Sequence, residues 1–167
     1  RAYNAIAYQM KSMDASRINS LMNLIWEQIG NKTYEPPKML SWSELKELDI
    51  NPLCTIGAHT VSHRSLSILS PDELKREIVE CKTTLEAALG HPINYFSYPY
   101  GGVSDAGPRE FEAVKQAGYR AAFTTRFGHL HPEHRGHLFK LPRVDLSSED
   151  DKITFDYKLS GVEAVVR

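Results

Sequence analysis

Two imidazoles set four residues apart, in Gly57-Ala58-His59-Thr60-Val61-Ser62-His63, are the side chains most suited to chemistry in this chain. If the backbone turns between them, His59 and His63 can chelate one cation. Imidazole nitrogen favours borderline-soft divalent ions, Zn2+ first among them. By itself H-x-x-x-H is more often a pair of solvated or capping groups than a metal site. No Glu follows the first histidine, so the H-E-x-x-H metalloprotease pattern is absent. A second segment, Tyr95-Phe96-Ser97-Tyr98-Pro99-Tyr100-Gly101-Gly102, joins aromatic residues to a Pro and two Gly. Pro removes a backbone donor, and Gly permits positive φ and close approach of a ligand to the backbone. Amides aimed into a cleft can hold an oxyanion, and exposed aromatic faces suit sugar rings. The competing reading of this segment is a tight, well-packed turn.

The elements that must position these segments can be read from periodicity and punctuation. Residues 14–29 read as a helix, with Ile18, Leu21, Met22, Ile25 and Ile29 at helical spacing and Gly30 as a stop. Asn31 to Lys38, with Pro36 and Pro37, reads as a loop. Ser41-Trp42-Ser43-Glu44 is a capping box for a short helix to about Leu48. Leu53 to Ile56, ended by Gly57, is expected to be a buried strand. Ser70-Pro71-Asp72-Glu73 caps a second helix, with Leu74, Ile78, Cys81 and Leu85 as its apolar stripe and Gly90 at its end. Asn94 to Tyr98 reads as a strand, Pro108 to Ala117 as a helix stopped by Gly118, and Tyr119 to Thr125 and Phe139 to Leu146 as further strands. Strands alternating with helices predict parallel β-α units, whose chemistry sits at the C-terminal ends of the strands. His59 and His63 follow the first expected strand, and Pro99 to Gly102 follow the second.

Bulk properties narrow the classes. The chain has 167 residues, which fits one domain; 41% are hydrophobic and 25% charged. Lys and Arg total 20 against 21 Asp and Glu, a net charge of −1, so neither nucleic acid nor an anionic membrane surface is an expected partner. No apolar run approaches the ~18–20 residues that span a bilayer, and no signal-peptide pattern is visible. Cys54 and Cys81 form no C-x-x-C pair and are expected to be two buried thiols.

Taken together, G-x-H-T-x-x-H, a capped helix ending in Leu-Gly, and Tyr-Pro-Tyr-Gly resemble the polysaccharide deacetylases, the NodB-homology domain of carbohydrate esterase family 4. Leu40-Ser41-Trp42-Ser43-Glu44-Leu45, Leu66-Ser67-Ile68-Leu69-Ser70, Ala117-Gly118-Tyr119 and Leu141-Pro142-Arg143-Val144 look like the same family's connecting pattern. The resemblance covers residues 39–146 as the motif-bearing portion, with 14–30 as a helical lead-in, and takes 1–167 as one domain. It implies a distorted (β/α) barrel, here N-terminally incomplete. It implies metal-dependent removal of N-acetyl or O-acetyl groups from a glycan. The runner-up is an inactive glycan-binding or interaction module of the same fold.

The family holds a divalent metal with one Asp and two His, and His59 and His63 match the two His. The Asp and a second Asp that serves as base belong to a Thr-Phe-Asp-Asp segment. The nearest text here is Thr154-Phe155-Asp156-Tyr157, which is read as coincidence. Should another carboxylate have taken the base's role, Asp105 and Asp145 are the candidates. Pro99 and Tyr100 match the family's groove motif, whose last residue gives a backbone N–H to the oxyanion. Ser97 stands where that motif has an Arg, and Arg143 is the candidate substitute, with Arg126 as the alternative. Tyr98, Pro99, Tyr100, Gly101 and Trp42 are the expected substrate contacts. The family's Leu-x-His motif, which supplies a general acid, has no clear match; His129, His131, His134 and His137 lie just before Arg143, with no choice between them and a polar surface loop as the competing reading.

Overall fold

The computed structural model describes residues 6, 9–11, 13, 15–29 and 38–162. The chain divides into two compact units, Arg1–Asn51 and Pro52–Arg167. In the first, helix α1 spans Ala15–Gln28, and Ile18, Leu21, Met22 and Ile25 form its half-buried stripe. Residue 14, the stop at Gly30 and the Pro36-Pro37 loop lie outside the described residues. Helix α2, Trp42–Asp49, opens on the expected capping box. Ser41 N–H donates to Glu44 Oε2 at 2.8 Å, and Glu44 N–H returns to Ser41 Oγ at 3.2 Å.

The second unit holds the sheet. Helix α3 spans Pro71–Leu89, capped by Ser70 and Glu73, with Pro71 in its first turn and Gly90 in the left-handed region at φ 80° as its C-cap. Strand β1 is Tyr95–Ser97, helix α4 is Pro108–Gln116, and strand β2 is Ala121–Phe127. Short 3-10 turns at Leu66–Ile68, Pro132–Gly136 and Leu138–Lys140 flank them. Strand β3 is Leu141–Arg143. The three strands form a parallel sheet in the order β1-β2-β3. Phe96 pairs with Ala122 across the first ladder and Phe123 with Leu141 across the second.

One face of this sheet is covered. Phe96, Tyr98 and Ala122 pack with Leu74, Ile78 and Cys81 of α3, Val114 of α4, and Leu66, Leu69, Ile93 and Tyr119. Each fully buried large apolar side chain in such a core contributes ~1.5–3 kcal/mol relative to exposure. Because side chains alternate across a strand, the opposite face carries Tyr95, Phe123 and Phe127. Tyr95 and Phe127 are both exposed, and the Tyr95 and Phe123 rings lie 6.4 Å apart.

Three expectations need correction. Residues 53–56 do not form a strand. The pairing is confined to one parallel bridge, Ala58 to Phe96, with Ala58 N–H on Tyr95 O and Ser97 N–H on Ala58 O, both 2.9 Å. Leu53 is 96% exposed, so the apolar run was no sign of burial there. Cys81 is buried, but Cys54, in the same irregular stretch, is only partly so. The strand expected to reach Leu146 stops at Arg143, whose pairing with Phe127, the last residue of β2, ends the ladder. A helix that the pattern did not predict, α5, spans Lys152–Ser160 behind an Asp151 cap. Its apolar residues Ile153, Phe155, Tyr157 and Leu159 alternate with polar ones, which hides a helical period. The Thr154–Tyr157 text lies inside it, and Asp156 pairs with Lys152 at 2.9 Å. Among the described residues no helix is long and apolar enough to cross a membrane.

Candidate active site

The single bridge at Ala58 fixes where His59 leaves the sheet. Its ring turns back onto β1, with Nδ1 2.7 Å from the Ser97 carbonyl oxygen. A carbonyl only accepts, so Nδ1 carries the proton and Nε2 keeps its lone pair. Desolvation of the ring's inner edge is the main cause that holds the His59 pKa below its ordinary 6.5. The bond to Ser97 opposes it, and the neighbouring His63 and Arg143 add to it. The shift favours the neutral ring, the form that ligates metal.

The chain then turns sharply. Thr60 has φ 67° and His63 φ 55°, a region that non-glycine residues enter only under constraint. The Thr60 hydroxyl accepts from His63 N–H at 3.0 Å. The turn brings the His59 and His63 ring centroids to 4.8 Å, edge to face, and the Tyr100 ring stands 5.1 Å from His63. Tyr100 is itself held at φ 60°. Its carbonyl accepts from Thr125 Oγ1 at 2.5 Å, and the next residue, Gly101, accepts from Thr125 N–H at 3.0 Å. Gly101 has φ 61°, and a Cβ there would lie 2.7 Å from Thr125 N. Only glycine fits this crossing of the turn over β2.

Of the turn residues expected to touch substrate, Tyr98, Pro99 and Gly101 are buried and Tyr100 is exposed. The Tyr98 ring is core, 1% exposed, with its hydroxyl on Phe139 O at 2.9 Å. Trp42, in the first unit, is exposed. Arg143, at the end of β3, is exposed and close enough to His59 to depress its pKa. Arg126 is committed elsewhere, with Nη2 on Ala106 O at 2.7 Å and its guanidinium 5.5 Å from the centre of the Phe111 ring. Asp105 is buried and accepts from Ser65 Oγ at 3.0 Å and Gly102 N–H at 3.2 Å, which ties down the loop after the turn. Asp145 is exposed. In the histidine group, His129 Nε2 lies 2.7 Å from Lys158 O. His134 Nδ1 accepts from His131 N–H at 2.9 Å.

The donor set fits a divalent metal in part. Two neighbouring imidazoles, one locked by a backbone carbonyl as metal-bound histidines usually are, match two ligand positions. Catalytic zinc sites hold three protein ligands and an open position. Among the described residues no cluster of three or more His, Cys, Asp or Glu supplies the third. The sequence reading missed Glu77, which holds the histidine turn from α3, and Thr125, which holds the Tyr100–Gly101 turn from β2. Glu77 could have been suspected, because it shares a helix face with Leu74, Ile78 and Cys81.

The family model described as polysaccharide deacetylase matches residues 9–122, more than half of the chain. The chain belongs to the polysaccharide deacetylase family. Among solved structures, this deacetylase-family chain is similar to the Streptococcus pyogenes deacetylase PplD in complex with acetate, at TM-score 0.66 and 20% identity over 80% of this chain and 54% of that one. It is similar to a polysaccharide deacetylase from Bacillus cereus, at TM-score 0.63 and 21% identity over 84% of this chain and 47% of that one. It is also similar to IcaB from Ammonifex degensii, at TM-score 0.56 and 25% identity over 71% and 52%. The chain thus spans about half the length of these neighbours. No curated protein matches it.

Proposed function

We propose that residues 1–167 contribute the histidine half of a metal-dependent deacetylase site that hydrolyses N-acetyl, or O-acetyl, groups on a polysaccharide. The observation that carries this reading is the meeting of His59, His63 and Tyr100 at the C-terminal end of β1, where parallel α/β sheets place their ligands. The Streptococcus neighbour holds acetate, which is the small product of such a hydrolysis.

His59 and His63 would hold the ion, Zn2+ by the softness of imidazole. When bound, it would polarise the acyl carbonyl and acidify a water. The remaining work falls to the chain's own groups. Ser97 O keeps His59 in the tautomer that offers Nε2. The Tyr100 backbone N–H is the donor for the oxyanion, and the Tyr100 ring offers a flat face to a sugar. Arg143 orients and keeps ionised the carboxylate that takes the proton from water. Tyr98, Pro99 and Gly101 support Tyr100 from within. The three-stranded parallel sheet is read as an arc of a distorted (β/α) barrel, and 1–167 as one domain with its motifs in 39–146.

The test is acetate release from N-acetylglucosamine oligomers by the complete protein, with and without a chelator. Metal-dependent release that disappears in His59→Ala/His63→Ala supports the reading, and chelator-insensitive release would sink it. A second reading draws on the sequence itself, because residues 1–167 contain no Thr-Phe-Asp-Asp segment. It is a glycan-binding module without turnover, which calorimetry would reveal as oligomer binding with no acetate released.

A further inference from the structure

Glu77 lies in the middle of α3 and is 4% exposed. A carboxylate so buried requires partners, and its carboxylate oxygens take theirs from the turn between the two histidines. Its Oε2 accepts from Val61 N–H at 2.8 Å and Ser62 N–H at 2.9 Å, and its Oε1 accepts from Ser62 Oγ at 2.5 Å. Cys81, one helical turn further along the same face, is buried in the core beside it. Two consecutive amides of the turn, Val61 and Ser62, therefore converge on one side chain of α3. The need is local: Thr60 and His63 both sit at positive φ, a conformation that persists only where surrounding contacts over-determine it.

We propose that Glu77 is a positioning residue that holds the His59–His63 turn in the shape that sets the two imidazoles side by side, and that it acts through the reach of its hydrogen bonds and not through its charge. Its consequence for metal affinity rests on the reading of His59 and His63 as ligands; its consequence for the turn does not. Reach and charge can be separated by substitution. Glu77→Gln removes the charge but keeps the length. Its amide oxygen can accept both backbone N–H groups, and its NH2 can donate to Ser62 Oγ, which also accepts. Glu77→Asp keeps the charge but is one methylene short of the amides.

The experiment measures both variants in the full chain, well below their unfolding temperatures. Amide exchange by NMR reports the turn without any metal. Exchange of Val61 and Ser62, relative to Val114 in α4, should rise about tenfold or more in Glu77→Asp, as expected when a buried amide loses its acceptor, and stay within about threefold of wild type in Glu77→Gln. Competition with a chromophoric chelator for Zn2+ should follow the same order. Impairment of Glu77→Gln with a normal Glu77→Asp would overturn the proposal in favour of a charge effect. Lowered unfolding temperatures with unchanged exchange and affinity in both variants would overturn it in favour of a purely structural role. If the wild-type chain bound no Zn2+, the ligand reading would fall, and the exchange measurement would still decide the role of Glu77.

Discussion

At the residue scale, the site is made by backbone conformations that its own side chains would not choose. Thr60, His63 and Tyr100 occupy positive φ without being glycine, and each is held from outside the turn or across it. Gly101 shows what happens where no side chain is tolerated. In Gly101→Ala the new Cβ would meet backbone at 2.7 Å, and the clash cannot be relieved by a rotamer. A loss of ~3 kcal/mol, the upper end for a strained backbone, is expected by denaturant titration, with less exposure of the Tyr100 ring to quenchers. A second prediction concerns the ligands. His59→Ala/His63→Ala should abolish stoichiometric divalent-metal binding, read by elemental analysis of the dialysed protein, while leaving the far-ultraviolet circular dichroism unchanged. A third concerns Arg143. It reaches His59 electrostatically while Arg126 is tied to Ala106 O, so Arg143→Met in the complete protein should lower kcat by ~10²-fold or more. Its metal content should match wild type. A wild-type kcat would remove Arg143 from the site.

At the scale of elements, α3 is the part to which the histidine turn is fastened, so the stability of its N-terminus bears on the site. Ser70 and Glu73 close a reciprocal cap there. The Ser70 bonds and Arg64 hold the Glu73 carboxyl down at about 2, from an ordinary 4.5. A depressed carboxylate stabilises the fold fully above its unfolded value. Its contribution is lost as pH falls through the folded one. Acidification from about pH 4.5 toward about 2 should therefore loosen this helix end, and Glu73→Gln should flatten that part of the dependence of Tm on pH. Ser70→Ala should cost ~1 kcal/mol, a fall in Tm of ~2–4 °C for a protein of this size.

The caps of α2 and α3 were legible in the sequence because a capping box is a contact between residues three apart. The parallel order was legible from the alternation of strands and helices, and the two turns from His, Pro and Gly spacing. What escaped depends on contacts distant in sequence. The Glu77 bonds cross 15–16 residues and the Thr125 bond crosses 25. No local pattern announces the Thr125 bond, and for Glu77 the only local sign is its place on the apolar face of α3. The run 53–56 has strand composition but lacks a strand-long partner, and α5 has a strand's alternation inside a helix.

At the scale of the whole molecule, the sheet is asymmetric. One face is sealed by α3 and α4, while the other presents Tyr95, Phe123 and Phe127. The chain also spans about half the length of its solved neighbours. Among the described residues no third His, Cys, Asp or Glu joins the two imidazoles in a cluster, and a catalytic zinc site needs three protein ligands. Residues 1–167 on their own are therefore expected to release no acetate from N-acetylglucosamine oligomers at any metal concentration. Metal-dependent release would show that Asp145, the exposed one of the two candidate carboxylates, or Asp105 after a rearrangement, acts as base.

The one-residue bridge at Ala58 has a consequence for how freely this chain can vary in length. Ala58 is pinned to β1 through both its N–H and its C=O, so it is a fixed point in the numbering of the fold. Residues 51–57 precede it without regular structure. There, doubling the loop would add only ~0.6 kcal/mol of closure entropy. Between Ala58 and His63, by contrast, the Val61 and Ser62 amides are fastened to α3 and the His63 amide to Thr60. Insertions ahead of Gly57 should be absorbed silently by the second unit, and a single residue added after it should displace every group of the site.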